Sequence, residues 1–140
     1  MLSLYEGERR RCNIEKILKL ALLHDLEEAI MGDLTPEDKR RLGKARVRRE
    51  RDRAIKTLLQ SFPAESQKSY LRLWTDLQLS RSREAKIVHQ LDKIEMALQA
   101  RDYANQVGTK KVADFYRSAA KVTVDASLRR ELESAIGRLD

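Results

Sequence analysis

An all-α fold is predicted for this chain: one helical bundle of about five to six helices around a buried central helix. Three observations predict it. Ala, Leu, Glu, Lys, Arg and Gln, all good helix formers, dominate the composition. Two prolines and five glycines in 140 residues are too few for the many turns of an all-β domain. Apolar residues also recur at helical spacing in one segment after another. The length suits a single core, and no repeat, low-complexity tract or linker divides residues 1–140.

The first helix is predicted over Asn13–Met31, NIEKILKLALLHDLEEAIM, with Asn13 as N-cap and Gly32 as the residue that ends it. Its apolar positions nearly encircle the helix axis, so it is the expected buried central helix. Thr35-Pro36-Glu37-Asp38 supplies an N-cap, a proline at the first helical position and acids in the first turn. The helix that starts there is expected to break near Gly43 and resume through Arg46–Gln60. Ser61-Phe62-Pro63 marks a turn before a helix over Ala64–Leu79, with Tyr70 and Trp74 among its core residues. Ser80 or Ser82 then caps a long helix from Arg83 to about Asn105, with Gly108 closing the region. Shorter helices are predicted over Val112–Ala120 and Ser127–Arg138.

The net charge of +7 is concentrated. Lys39–Lys56 holds ten basic and two acidic residues, whereas the remaining chain holds 19 basic and 20 acidic. Such a run is commonly a solvated helix face, and a polyanion-facing surface is the sharper alternative. It contains no aromatic residue to stack on a base, so nucleic acid is not the expected partner. The single cysteine, Cys12, excludes an intramolecular disulfide, and a cytoplasmic protein is expected. No segment has the roughly 20 apolar residues that cross a bilayer, so no membrane role is expected.

Only two histidines are present, and each is near an aspartate. His24-Asp25 falls inside the most apolar segment, where an ionisable doublet is costly unless paired or bound to a metal. Glu28 follows at helical spacing from both, and Asp33 lies just past the helix end. Asp92 sits among Val88, Leu91, Ile94 and Ala97 and needs a partner of its own. One imidazole and two carboxylates form a mixed donor set suited to Mn, Co, Fe, Ni, Zn or Mg, with positions left for water. A His-Asp dipeptide also arises by chance, and a buried histidine can simply bond the backbone. His89 is read as a surface residue, and Cys12 has no companion that would make it a nucleophile.

The string LALLHDLEEAIMGDLTPEDK resembles the motif helix of the HD-domain metal-dependent phosphohydrolases, in particular their 5′-deoxynucleotidase branch. EAKIVHQLDKIEMALQA resembles that family's second signature, and VADFYRSAA is similar to its tail. The resemblance implies an HD domain over residues 1–140 and one divalent metal ion held by His24, Asp25 and Asp92. It implies Glu28 as general acid/base and Asp33 as the residue that contacts the deoxyribose. It also implies a small-molecule nucleotide substrate that loses its 5′-phosphate, and a homodimer or higher homo-oligomer. The family's further histidine ligand lies well upstream of the doublet, and nothing in Met1–Asn13 can serve. The domain is therefore expected to be N-terminally short, weakly active and prone to self-association. Two other classes compete: a non-catalytic HD-fold module that binds nucleotide or protein, and a basic helical nucleic-acid binder.

Overall fold

The structure, a computed structural model, describes residues 12–102, 109–123 and 126–136. Asn13 starts the first helix as expected. Its backbone is extended (φ −74°, ψ 99°), and its side-chain oxygen accepts from the Lys16 N–H at 2.9 Å. Helix α1 (Ile14–Leu23) follows, then a turn over 24–27 and a single-turn helix α2 (Glu28–Met31) that ends at Gly32. Gly32 has φ +72°, a left-handed conformation that side chains disfavour.

Thr35 and Asp38 form a reciprocal capping box at the start of α3 (Pro36–Leu42). Gly43, at φ +78°, breaks the chain between α3 and α4 (Lys44–Leu59), as its position predicts. Helix α5 (Ala64–Leu79) has the expected boundaries and ends at Ser80 in a left-handed conformation. Helices α6 (Arg83–Asp102), α7 (Thr109–Val122) and α8 (Ala126–Ile136) complete an all-α architecture, with no strand among the described residues. The expected ends at Asn105, Gly108 and Arg138 lie outside the described residues, as does nearly all of Met1–Asn13.

The centre of the bundle is α6, not the segment Asn13–Met31. Helix α6 buries Ala85, Ile87, Val88, Gln90, Leu91, Ile94, Ala97 and Ala100, and it packs against α1, α5, α7 and α8. Helix α1 buries one stripe only: Ile17, Leu20 and Leu23. Leu18, Leu26 and Ile30 are exposed, and Leu22 is 79% exposed. The run of leucines therefore marks two faces with different fates: α5 and α6 cover one side of α1, and the side with Leu22 is left open to solvent. Trp74 is core, as expected, at 2% exposure, and Tyr70 packs edge-on against Phe62 at 5.8 Å. A second apolar cluster of Ala97, Tyr116, Ala119 and Leu132 joins α6 to α7 and α8.

Three helices are tied together by charge at the opposite end of α1 from the turn. Lys16 Nζ lies 2.7 Å from Asp76 of α5 and 3.6 Å from Glu84 of α6. The Glu84 carboxylate also accepts from the Asn13 N–H at 3.3 Å, and Asp76 accepts from the Ser82 N–H at 2.8 Å. Burial alone would raise the Asp76 carboxyl, but Lys16 and Ser82 outweigh it and hold it below its ordinary value. A carboxyl depressed in this way stabilises the fold above the unfolded-state value of about 3.9, and that stability is lost as pH falls through the folded-state value. Asp76→Asn should therefore reduce the stability measured in urea melts at neutral pH by about 1.5–3 kcal/mol. It should also flatten the acid limb of the stability curve below about pH 4. An acid limb identical to that of the wild type would show that the tie contributes nothing.

Candidate functional site

The site is built on the turn between α1 and α2. The buried stripe of α1 runs Ile17, Leu20, Leu23, and its next position at helical spacing is Glu27, which is fully buried. A carboxylate there must meet a cation. Arg51 of α4 provides it, with Nε and Nη2 both directed at Glu27 Oε1. The other oxygen, Oε2, has no hydrogen-bond partner among the described residues. Arg51 also donates from Nη2 to the His24 carbonyl at 3.4 Å and lies over the Trp74 ring, 5.6 Å from its centroid. Trp74 in turn donates from Nε1 to Asp52 at 2.9 Å. One arginine thus ties α4 and the core tryptophan to the turn that carries His24 and Asp25. Within that turn the hydrogen bonds reach back three residues, Leu26 N–H to Leu23 O at 3.3 Å and Glu28 N–H to Asp25 O at 3.0 Å.

His24 therefore sits at the end of α1 and not in the middle of a buried helix, with its side chain 32% exposed. Its Nδ1 lies 2.6 Å from the Ala21 carbonyl. A carbonyl only accepts, so Nδ1 carries a proton and Nε2 is the nitrogen that faces outward. Nε2 lies 2.7 Å from Asp25 Oδ2 and 4.0 Å from Asp92 Oδ1 of α6. Asp25 is exposed and Asp92 half-buried, with Asp92 also 2.9 Å from its neighbour Lys93. The structure thus places the His24-Asp25 doublet beside Asp92 from a distant part of the chain. Among the described residues no three His, Cys, Asp or Glu side chains close around a point as a finished metal cage. The donor types present, one imidazole and two carboxylates, are those that divalent cations take. A ring nitrogen whose partner nitrogen is bonded to the backbone faces two carboxylates, with Asp25 in direct contact and Asp92 farther off.

Glu28 lies at the start of α2, half-buried. Burial raises its carboxyl above the usual glutamate value, the charges of Asp25, Asp33 and Glu27 raise it further, and Lys39 opposes them. Asp25 and Asp33 are thus both within electrostatic reach of Glu28. Asp33 is exposed beyond Gly32. A pocket of about 10 Å³, room for a single water, opens beside Glu27, Glu28, Gly32, Lys39 and Arg51, on ground that His24, Asp25 and Asp92 do not share.

His89 is half-buried and not a surface residue. Its Nε2–H donates to the Leu77 carbonyl at 2.8 Å, which joins α6 to α5. Sequence reasoning missed Glu27 and Arg51. A signal for Glu27 was present, since it continues the 17-20-23 stripe. Arg51 was hidden in a basic run that reads as uniformly solvated. Arg51→Met should leave the Glu27 charge buried and unpaired, costing about 3–5 kcal/mol. The double variant Glu27→Leu/Arg51→Met should recover most of that loss in denaturant melts. Additive losses would show that the two side chains act independently.

The comparisons with known proteins give the family. The family described as "HD domain" matches residues 1–131. The chain is 38% identical over 113 residues to the 5′-deoxynucleotidase HDDC2 of Mus musculus, covering 79% of this chain and 55% of that protein. It is 37% identical over 111 residues to its Homo sapiens counterpart, covering 79% and 53%. It is 32% identical over 120 residues to the 5′-deoxynucleotidase YBR242W of Saccharomyces cerevisiae, covering 82% and 50%. The chain spans about half the length of the curated relatives it matches. A family match along nearly the whole sequence, on an all-α bundle whose turn presents His24 and Asp25 to Asp92, places this chain in the HD-domain family.

Proposed function

We propose that the chain is a metal-dependent phosphohydrolase that removes the 5′-phosphate from deoxynucleoside monophosphates. The observation that carries this reading is the outward Nε2 of His24 facing Asp25 and Asp92 while Nδ1 is tied to the backbone. The relatives named as 5′-deoxynucleotidases support the reaction class. His24, Asp25 and Asp92 would hold one divalent ion, Mn, Co, Fe, Ni, Zn or Mg. When bound, such an ion supplies charge that activates water and neutralises phosphoryl oxygens.

The chain's own residues do the rest. Burial and three neighbouring carboxylates make Glu28 hold its proton to higher pH than an ordinary glutamate. That suits it to give the proton to the sugar O5′ as the P–O5′ bond breaks. Asp33, exposed beyond Gly32, would contact the sugar and favour substrates without a 2′-hydroxyl. The Glu27–Arg51 pair holds the turn so that His24 and Asp25 keep their aim.

The test is phosphate release from deoxy- and ribonucleoside monophosphates with each metal, after chelation. Glu28→Gln should keep metal-dependent gain in melting temperature and lose about 10²–10⁴-fold in turnover. Asp33→Ala should narrow the deoxy/ribo preference while leaving the melting temperature near that of the wild type. No phosphate release with any metal would favour a non-catalytic nucleotide-binding module instead.

We also propose a homo-oligomer assembled through the exposed face of Leu18, Leu22, Leu26 and Ile30. Sedimentation should show a concentration-dependent dimer or larger species, and Leu22→Glu should shift it to monomer. A wild-type chain that stays monomeric at high concentration rules this out.

A further inference from the structure

We propose that the outer face of α4 is a docking surface for the phosphate backbone of double-stranded nucleic acid. This goes beyond the phosphatase reading and does not depend on it. The inner face of α4 is defined by Ala54, Ile55 and Leu59 in the core and by Arg51 and Asp52 turned toward Glu27 and Trp74. Opposite that face, Arg46, Arg49, Arg53 and Lys56 are all exposed. Their spacing of three, four and three residues stacks them in one line along the helix, about 15 Å long at 1.5 Å per residue. Arg48 and Lys44 are also exposed near the helix start.

Charge on this line is little compensated. Arg53 pairs with Glu50 at 3.2 Å, with the Arg53 side chain 78% exposed. Exposed pairs of this kind are weak and exchange readily. Among the described residues no acid forms an ion pair with Arg46, Arg49 or Lys56. The sequence outside Lys39–Lys56 is close to neutral, so α4 and the end of α3 carry the chain's excess positive charge.

The chemistry of the line selects the partner. It has no aromatic or large apolar side chain, so it can neither stack unpaired bases nor enter a lipid interface. Three of its four members are arginine, whose planar fork matches phosphate oxygens. Duplex nucleic acid carries one negative charge per about 1.7 Å of axis, a charge density that favours a row of closely spaced cations. Without aromatics the line cannot stack on the bases of a single strand, and the duplex backbone is the better match. Recognition by this face would be independent of base sequence.

The experiment is fluorescence anisotropy of a labelled random duplex of about 20 base pairs with the full chain, between about 50 and 200 mM salt. The expected slope of log K against log salt is about −3 to −4, four contacts at about −0.9 each. The variant Arg46→Gln/Arg49→Gln/Lys56→Gln should lose about three units of that slope and bind at least about tenfold more weakly at low salt. A variant with the same charge loss elsewhere, Arg72→Gln/Lys86→Gln/Lys121→Gln, should stay within about twofold of wild type if position and not net charge decides. Circular dichroism of both variants checks that the helices persist. Four results would each overturn the proposal. These are absence of duplex binding at low salt, equal loss in both variants, stronger binding to a single strand of equal phosphate count, and stronger binding to phosphatidylserine vesicles or polyglutamate.

Discussion

A carboxylate removed from water must have a cation against it, and Glu27 imposes that requirement at the turn on which the candidate site is built. Its position continues the buried stripe of α1, so the chain cannot pass from α1 to α2 without delivering this charge to the interior. Arg51 answers it from α4, reaches the His24 carbonyl with the same guanidinium and lies over Trp74. The placement of α4 against α2, and the aim of His24 and Asp25, follow from that contact. The pair therefore specifies an arrangement more than it adds stability, since buried ion pairs contribute little over apolar packing.

The site gathers negative charge from two directions. Asp25, Glu27, Glu28 and Asp33 come from the turn and the short helix after it, and Asp92 arrives from α6. In such a cluster like charges raise one another's affinity for protons or for cations. His24 contributes a nitrogen whose partner nitrogen is already committed to the backbone, so its orientation does not depend on the ligand. His24 Nε2 faces Asp25 and Asp92, whereas burial and the neighbouring carboxylates raise the Glu28 carboxyl above its ordinary value. Separation of neighbouring carboxyl groups by their surroundings is what acid/base chemistry requires.

Helix α4 illustrates how one element serves two surfaces. Its inner side supplies Arg51 and Asp52 to the core and the turn, and its outer side presents a line of cations. In sequence these residues alternate within a single basic run, so composition alone treats them as equivalent. Their separation into buried and exposed sets is a consequence of helical geometry once the packing face is known.

Local features of the fold were legible from the chain itself. Asn13, the Thr35–Asp38 box with Pro36, Gly32 and Gly43 act within a few residues, so their capping chemistry is present in the sequence. The boundaries of α5 and the core role of Trp74 followed from apolar spacing for the same reason. The residues His24, Asp25 and Asp92 could be singled out because an ionisable group beside apolar neighbours needs a partner. Which partner each one meets was decided by tertiary structure. Apolar runs do not reveal which side of a helix is covered, so Leu22 is exposed and α6 is the central helix. His89 turned inward because α5 offers it the Leu77 carbonyl. Arg51 left the basic face because a buried carboxylate from another helix lay within its reach, and only the packing of α2 on α4 determines that distance.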